Sequence, residues 1–151
     1  MIELPRDFQE LLVALADEGA DFAVVGGFAV AFHGHVRATK DLDVLVRASP
    51  TNAARVYAAL AAFGAPLAAF EVSVQDFVEY DGVLQIGVPP FRIDILNRIA
   101  GVGFDEAIGD GAAFDLDGRR VPVIGLDALI KNKRAVARPQ DLVDADILAR
   151  S

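Results

Sequence analysis

The chain has 151 residues, no cysteine and a formal charge of −8. The missing cysteines exclude thiol catalysis and a disulfide scaffold and suit a reducing compartment, while the acidic balance argues against a surface that tracks long DNA or RNA, which needs clustered Lys and Arg. The length suits one domain, 1–151. The first residues carry no signal-peptide pattern and the longest apolar stretch, Phe22 to Phe32, is too short for a bilayer, so the expectation is a cytoplasmic protein without a membrane partner.

In chain order, Pro5 to Glu18 predicts an opening helix and Phe22 to Val25 a short apolar strand, after which Gly26-Gly27 turns into a helix over Gly27 to Phe32. Glycines at such a turn let the backbone approach a ligand, and N–H groups at the helix start can receive phosphate oxygens. A tight turn without a ligand accounts for the same residues. Gly26-Gly27-Phe28-Ala29-Val30 is not G-x-G-x-x-G and no G-x-x-x-x-G-K-[ST] occurs, which disfavours a Rossmann or P-loop site. His33 and His35 flank Gly34; with no third histidine nearby they read as loop or packing residues rather than zinc ligands.

Arg37 and Thr39 precede a strand over about Leu42 to Val46. Side chains in a strand alternate, so Asp41 and Asp43 share one face while Leu42, Val44 and Val46 turn into apolar packing. Two adjacent carboxylates repel, and magnesium is their natural counter-charge; a solvated strand edge is the other account. Arg37 and Thr39 suit phosphate contact and orientation of this loop, or equally an ion pair and a strand-entry hydroxyl.

Pro50 to Phe63 predicts a helix with Ser49 before it and proline in its first turn. Residues 64–82 carry no clear pattern. Leu84 to Gly87 and Phe91 to Leu96 predict a hairpin around Val88-Pro89-Pro90, with Asp94 between Ile93 and Ile95 and facing away from both. Burying an acid there is costly unless it is paired or ligates a cation. If this strand lies beside the first acidic one, three carboxylates converge in the manner of two-metal phosphoryl or nucleotidyl transfer; a salt bridge from Asp94 to Arg37, Arg92 or Arg98 is the competing account. Asp117-Gly118 turns between Ala112 to Leu116 and Arg120 to Ile124.

A C-terminal helical segment occupies about 125–151. Leu126, Leu129 and Ile130 form its apolar stripe, Lys131, Lys133, Arg134 and Arg138 extend from its exposed end, and Pro139 separates it from a last amphipathic helix, Asp141 to Arg150. Those cations either meet a ligand or favour the helix dipole unaided. Strands interspersed with helices give an α/β (α+β) class: a mixed β-sheet with helices packed largely on one face.

Together, Gly26-Gly27-x-Ala29, Arg37-x-Thr39-x-Asp41-x-Asp43 and Ile93-Asp94-Ile95 resemble the nucleotidyltransferases of the DNA polymerase β-type superfamily. The likeness is nearest to small bacterial members, including abortive-infection-type toxins and antibiotic-modifying nucleotidyltransferases, and covers about residues 20 to 100. It implies an enzyme that moves a nucleoside monophosphate from an NTP, ATP among the candidates, to an acceptor hydroxyl and releases pyrophosphate with two Mg2+ ions. In that family Asp41 and Asp43 would bind the metals, and Asp94 would complete the metal site and act as base toward the acceptor. Gly26, Gly27, Arg37 and Thr39 would meet the nucleotide, and Lys131 and Arg138 would close over it from the C-terminal segment. The resemblance leaves a tRNA end, a protein hydroxyl and a small molecule open as acceptors. A second expectation, of another class, is a weakly catalytic or non-catalytic protein of this fold acting in a toxin–antitoxin pair or a regulatory complex. A third is a metal-dependent phosphohydrolase, which would release phosphate instead of pyrophosphate.

Overall fold

The computed structural model describes residues 4–36, 39–79, 83–87 and 91–150. In chain order its elements are α1 (Arg6–Asp17), β1 (Phe22–Val25), α2 (Gly26–Phe32), β2 (Asp41–Val46), α3 (Pro50–Phe63), α4 (Asp76–Glu79), β3 (Val83–Ile86), β4 (Arg92–Leu96), α5 (Phe104–Ile108), β5 (Ala113–Leu116), β6 (Arg119–Pro122), α6 (Leu126–Val136) and α7 (Pro139–Ala149). The architecture is mixed α+β, as expected. One sheet has the order β1-β2-β4-β3, with β2 and β4 parallel and both outer pairs antiparallel; β5 and β6 form a separate hairpin. Val123 bridges to Val24, and the Ile124 N–H donates to the Val24 carbonyl at 3.0 Å, so the chain leaving β6 runs along β1.

Apolar periodicity explains most of these elements. In α1, Phe8, Leu11, Leu12 and Leu15 recur at helical spacing and are all buried. Leu42, Val44 and Val46 alternate along β2 and are fully buried, as Ile93 and Ile95 are nearly so along β4. The Ser49 hydroxyl accepts the Asn52 N–H at 3.2 Å at the start of α3, Pro50 fills its first turn, and Gly64 ends it in the left-handed region at φ +98°. Buried Asn52 ties α3 to the sheet: its carbonyl oxygen accepts from the Asp21 N–H at 2.6 Å, and its amide donates to the carbonyls of Asp21 and Arg47, each at 2.9 Å.

The sequence pattern missed two short helices, α4 and α5. The expected hairpin strands do pair, as β3 and β4, while its Val88-Pro89-Pro90 turn lies outside the described residues. Among the described residues no helix is long and apolar enough to cross a membrane.

Candidate active site

The parallel β2–β4 pairing sets Asp43 level with Asp94 and Asp41 level with Arg92. In a pleated sheet, residues level on neighbouring strands present their side chains to the same face. Asp41, Asp43, Arg92 and Asp94 therefore share the face opposite the buried Leu42, Val44, Ile93 and Ile95. Asp94 is buried, whereas the Asp41 side chain is 40% exposed and stands nearer solvent.

Burial is the main force raising the Asp43 carboxyl, followed by the Asp94 charge, a hydrogen bond with Asp94 and the Asp41 charge; they push it up to about 7 against the downward pull of Lys133. Unit charges about 4 Å apart near a protein surface repel by roughly 4 kcal/mol. A packed pair of acids therefore calls for positive charge. Arg92 supplies some: its Nε donates to Asp94 Oδ1 at 2.9 Å, and its Nη2 to Asp94 Oδ2 at 3.2 Å and Asp41 Oδ2 at 3.1 Å. Of the salt-bridge partners foreseen for Asp94, Arg92 is found against it.

The glycines are there to leave room. Val25 pairs with Asp43 across the antiparallel β1–β2 ladder, so the chain turning out of β1 at Gly26 passes over the Asp43 carboxylate. A Cβ at Gly26 would overlap that carboxylate, and the backbone there sits at φ +67°. At Gly27 a Cβ would come within 2.7 Å of Thr39 Oγ1. The Thr39 hydroxyl donates to the Asp41 carbonyl at 3.4 Å, the strand-entry contact foreseen for it. Arg37 lies outside the described residues.

The C-terminal helices bring a different cation from one of the two expected. Lys131 ion-pairs with Glu106 at 2.9 Å, more than half exposed, and borders an open pocket with Asp127, Ile130, Arg134 and Ala149. It is not brought to the acids. Lys133, two positions on and therefore roughly 200° around the helix, is buried and within electrostatic reach of Asp43. Its Nζ lies 3.2 Å from Asp141 Oδ1 and 3.5 Å from Asp144 Oδ2. Arg138 donates from Nε to Asp141 Oδ2 at 2.7 Å, and its charge also interacts with Asp43. Gln140 donates to Asp144 at 2.8 Å, and His35 Nε2 lies 3.7 Å from Asp144 Oδ1. His33 Nε2 is 2.7 Å from the Ile124 carbonyl, which makes it the donor and a packing residue. The expectation that these cations all extend from the exposed end of the helix fails at Lys133, which falls four positions after Leu129 and shares its buried stripe. That spacing was the available signal.

Carboxylate oxygens, two of them on a crowded and partly buried pair, suit a hard divalent cation in donor chemistry. Among the described residues no group of three or more His, Asp or Glu side chains is already gathered to hold one, and Arg92 engages the oxygens of Asp41 and Asp94.

A family described as nucleotidyl transferase of unknown function (DUF2204) matches residues 5–150. The chain belongs to this nucleotidyl transferase family. Its fold is similar to a solution structure of the antibiotic-resistance factor ANT(2'')-Ia, with a TM-score of 0.59 and 16% identity over 95% of this chain and 80% of that one. A crystal structure of ANT(2'')-Ia in complex with adenylyl-2''-tobramycin is similar at a TM-score of 0.55 and 14% identity, over 94% of this chain and 84% of that one. At such identities the likeness is one of fold. No curated protein matches the sequence. Membership makes the chain a nucleotidyltransferase.

Proposed function

We propose that this nucleotidyltransferase is metal-dependent and acts at Asp41, Asp43 and Asp94, as a single domain whose segment from about 125 to 151 borders the nucleotide. The observation that supports this most is the pairing of Asp43 with Asp94, level on parallel strands, with Asp43 pushed up to about 7. Paired acids of this kind are relieved by a cation. The three carboxylates would hold one or two Mg2+ ions, which supply charge neutralisation on the transferring phosphoryl group and on the attacking and leaving oxygens.

The chain's own residues do the rest. Gly26 and Gly27 let the Asp43 carboxylate and the Thr39 side chain lie against the turn, beside which the triphosphate would sit, and Thr39 steadies the strand entry through its bond to Asp41. Asp94 takes the proton of the acceptor hydroxyl as that oxygen bonds to the α-phosphorus. The bond from the α-phosphorus to pyrophosphate breaks, and pyrophosphate departs with its electron pair. Lys133 and Arg138, both coupled electrostatically to Asp43, balance the charge gathered there. A small-molecule hydroxyl is the first acceptor class to test, because the related fold was solved with an adenylylated aminoglycoside.

The test is calorimetric titration of each NTP with magnesium into the wild-type protein and Asp43→Asn. Magnesium-dependent binding that the variant loses supports the reading; equal binding by the two would move the nucleotide away from these acids.

A further inference from the structure

We propose that Arg92 is the resident counter-cation of the acid site: it holds Asp41 and Asp94 until a divalent ion takes their oxygens, and its guanidinium then passes to the polyphosphate of the substrate. This rests on the metal-dependent reading above and adds to it a residue that neither the motif nor the family description singles out.

Arg92 stands on the same face of β4 as Asp94, two positions before it, and level with Asp41 on β2. From there one planar fork reaches both acids, with three contacts between 2.9 and 3.2 Å. Those oxygens are also the ones a metal ion would need. An arginine does not deprotonate in a protein, so this competition persists at any working pH.

Two of the cations near Asp43, Lys133 and Arg92, differ in their freedom. Lys133 is buried and locked between Asp141 and Asp144. The Arg92 side chain is 44% exposed and stands with Asp41 at the solvent side of the group. It has room to leave the carboxylates without unpacking the core. A released guanidinium at that edge is suited to two phosphate oxygens at once, a geometry an ammonium does not offer. Exchange of partners would make capture of the metal and capture of the triphosphate favour one another.

Mn2+ serves as a metal probe whose free signal is read by electron paramagnetic resonance, and inorganic tripolyphosphate as a probe without a base. With the full chain, Arg92→Gln should bind Mn2+ alone roughly tenfold more tightly than wild type and bind tripolyphosphate in the presence of Mn2+ roughly tenfold more weakly. Arg92→Lys, which keeps the charge and loses the fork, should fall between the two for Mn2+, and it carries the test should the Gln variant fail to fold by circular dichroism. A folded Arg92→Gln with unchanged or weaker Mn2+ affinity would overturn the proposal and make Arg92 a prop for the acids. Tighter Mn2+ binding with unchanged tripolyphosphate affinity would overturn the partner exchange. Failure of the wild type and both variants to bind Mn2+ would overturn the metal-dependent reading itself, and this inference with it.

Discussion

Gly26 and Asp43 compete for one small volume, and the competition leaves no room for a methyl group at Gly26. Ala at 26 would need both a displaced carboxylate and a left-handed backbone at φ +67°. The backbone component alone costs about 1–2 kcal/mol, and the overlap adds to it. Gly26→Ala is therefore expected to lower the thermal midpoint and to abolish magnesium-dependent NTP binding, whereas Gly34→Ala, where a Cβ meets nothing within 4 Å, should keep NTP binding. Asp43 gives the opposite stability result. Its folded carboxyl titrates above the ordinary 3.8, so the native state is progressively penalised as pH rises from about 4 through about 7. In chelator at pH 8, Asp43→Asn should melt at or above the wild type, and the gain should shrink as pH falls toward 4. A variant that melts well below the wild type at pH 8 would mean that the charged carboxylate is needed for folding.

At the scale of elements, helices α6 and α7 meet through charge. Lys133, Asp141 and Asp144 are all buried, so each relies on the others. Removing one partner of a buried ion pair costs about 3–5 kcal/mol, which is the loss expected in urea denaturation for Lys133→Ala. Burial pushes the Asp141 carboxyl upward, but hydrogen bonds from Arg138 and Lys133 outweigh it and hold Asp141 below its ordinary range. With its folded value depressed, Asp141 stabilises the protein above its unfolded value and stops doing so as pH falls through the folded one. Arg138→Gln should therefore cost stability at pH 7 and cost progressively less below pH about 4, measured by melts across that range. Helix α3 depends on Asn52 in another way: three hydrogen bonds converge on one buried amide, and Asn52→Ala should cost about 3 kcal/mol by leaving the backbone groups of Asp21 and Arg47 unpaired.

Where the sequence was legible, a local rule and the tertiary structure agreed. The strand at Phe22–Val25, the acidic alternation from Asp41 and the capped helix Pro50–Phe63 each carry their own signal. Residues 64–82 and helix α5 do not, because four- and five-residue helices hold too few turns to establish a period. The acids could be picked out as residues, yet their convergence depends on the β2–β4 pairing, which no local pattern states. Lys133 shares the buried stripe of Leu129, yet a lysine reads as a surface residue from sequence alone. The partners that make burial tolerable, Asp141 and Asp144, lie a helix away.

For the molecule as a whole, the proposed site draws on sequence from Gly26 to Asp144, and the sheet brings its acids together. The net charge of −8 leaves little for a long nucleic acid to follow, so a duplex DNA fragment should not comigrate with the protein in a gel at physiological salt. Comigration would reveal a basic face that the overall balance conceals.

The parallel register of β2 and β4 has a last consequence. Asp43 and Asp94 are neighbours because their strands are, and the fifty residues between them only have to return the chain to the same end of the sheet. Residues 68–71 and 73–75, exposed turns between α3 and α4 on either side of Val72, can therefore lengthen or shorten without moving either carboxylate. A sequence pattern for finding relatives should hold the interval from the glycine pair to the second acid nearly constant and leave the gap to the third acid open. A fixed gap would pass over proteins with the same chemistry and a different loop.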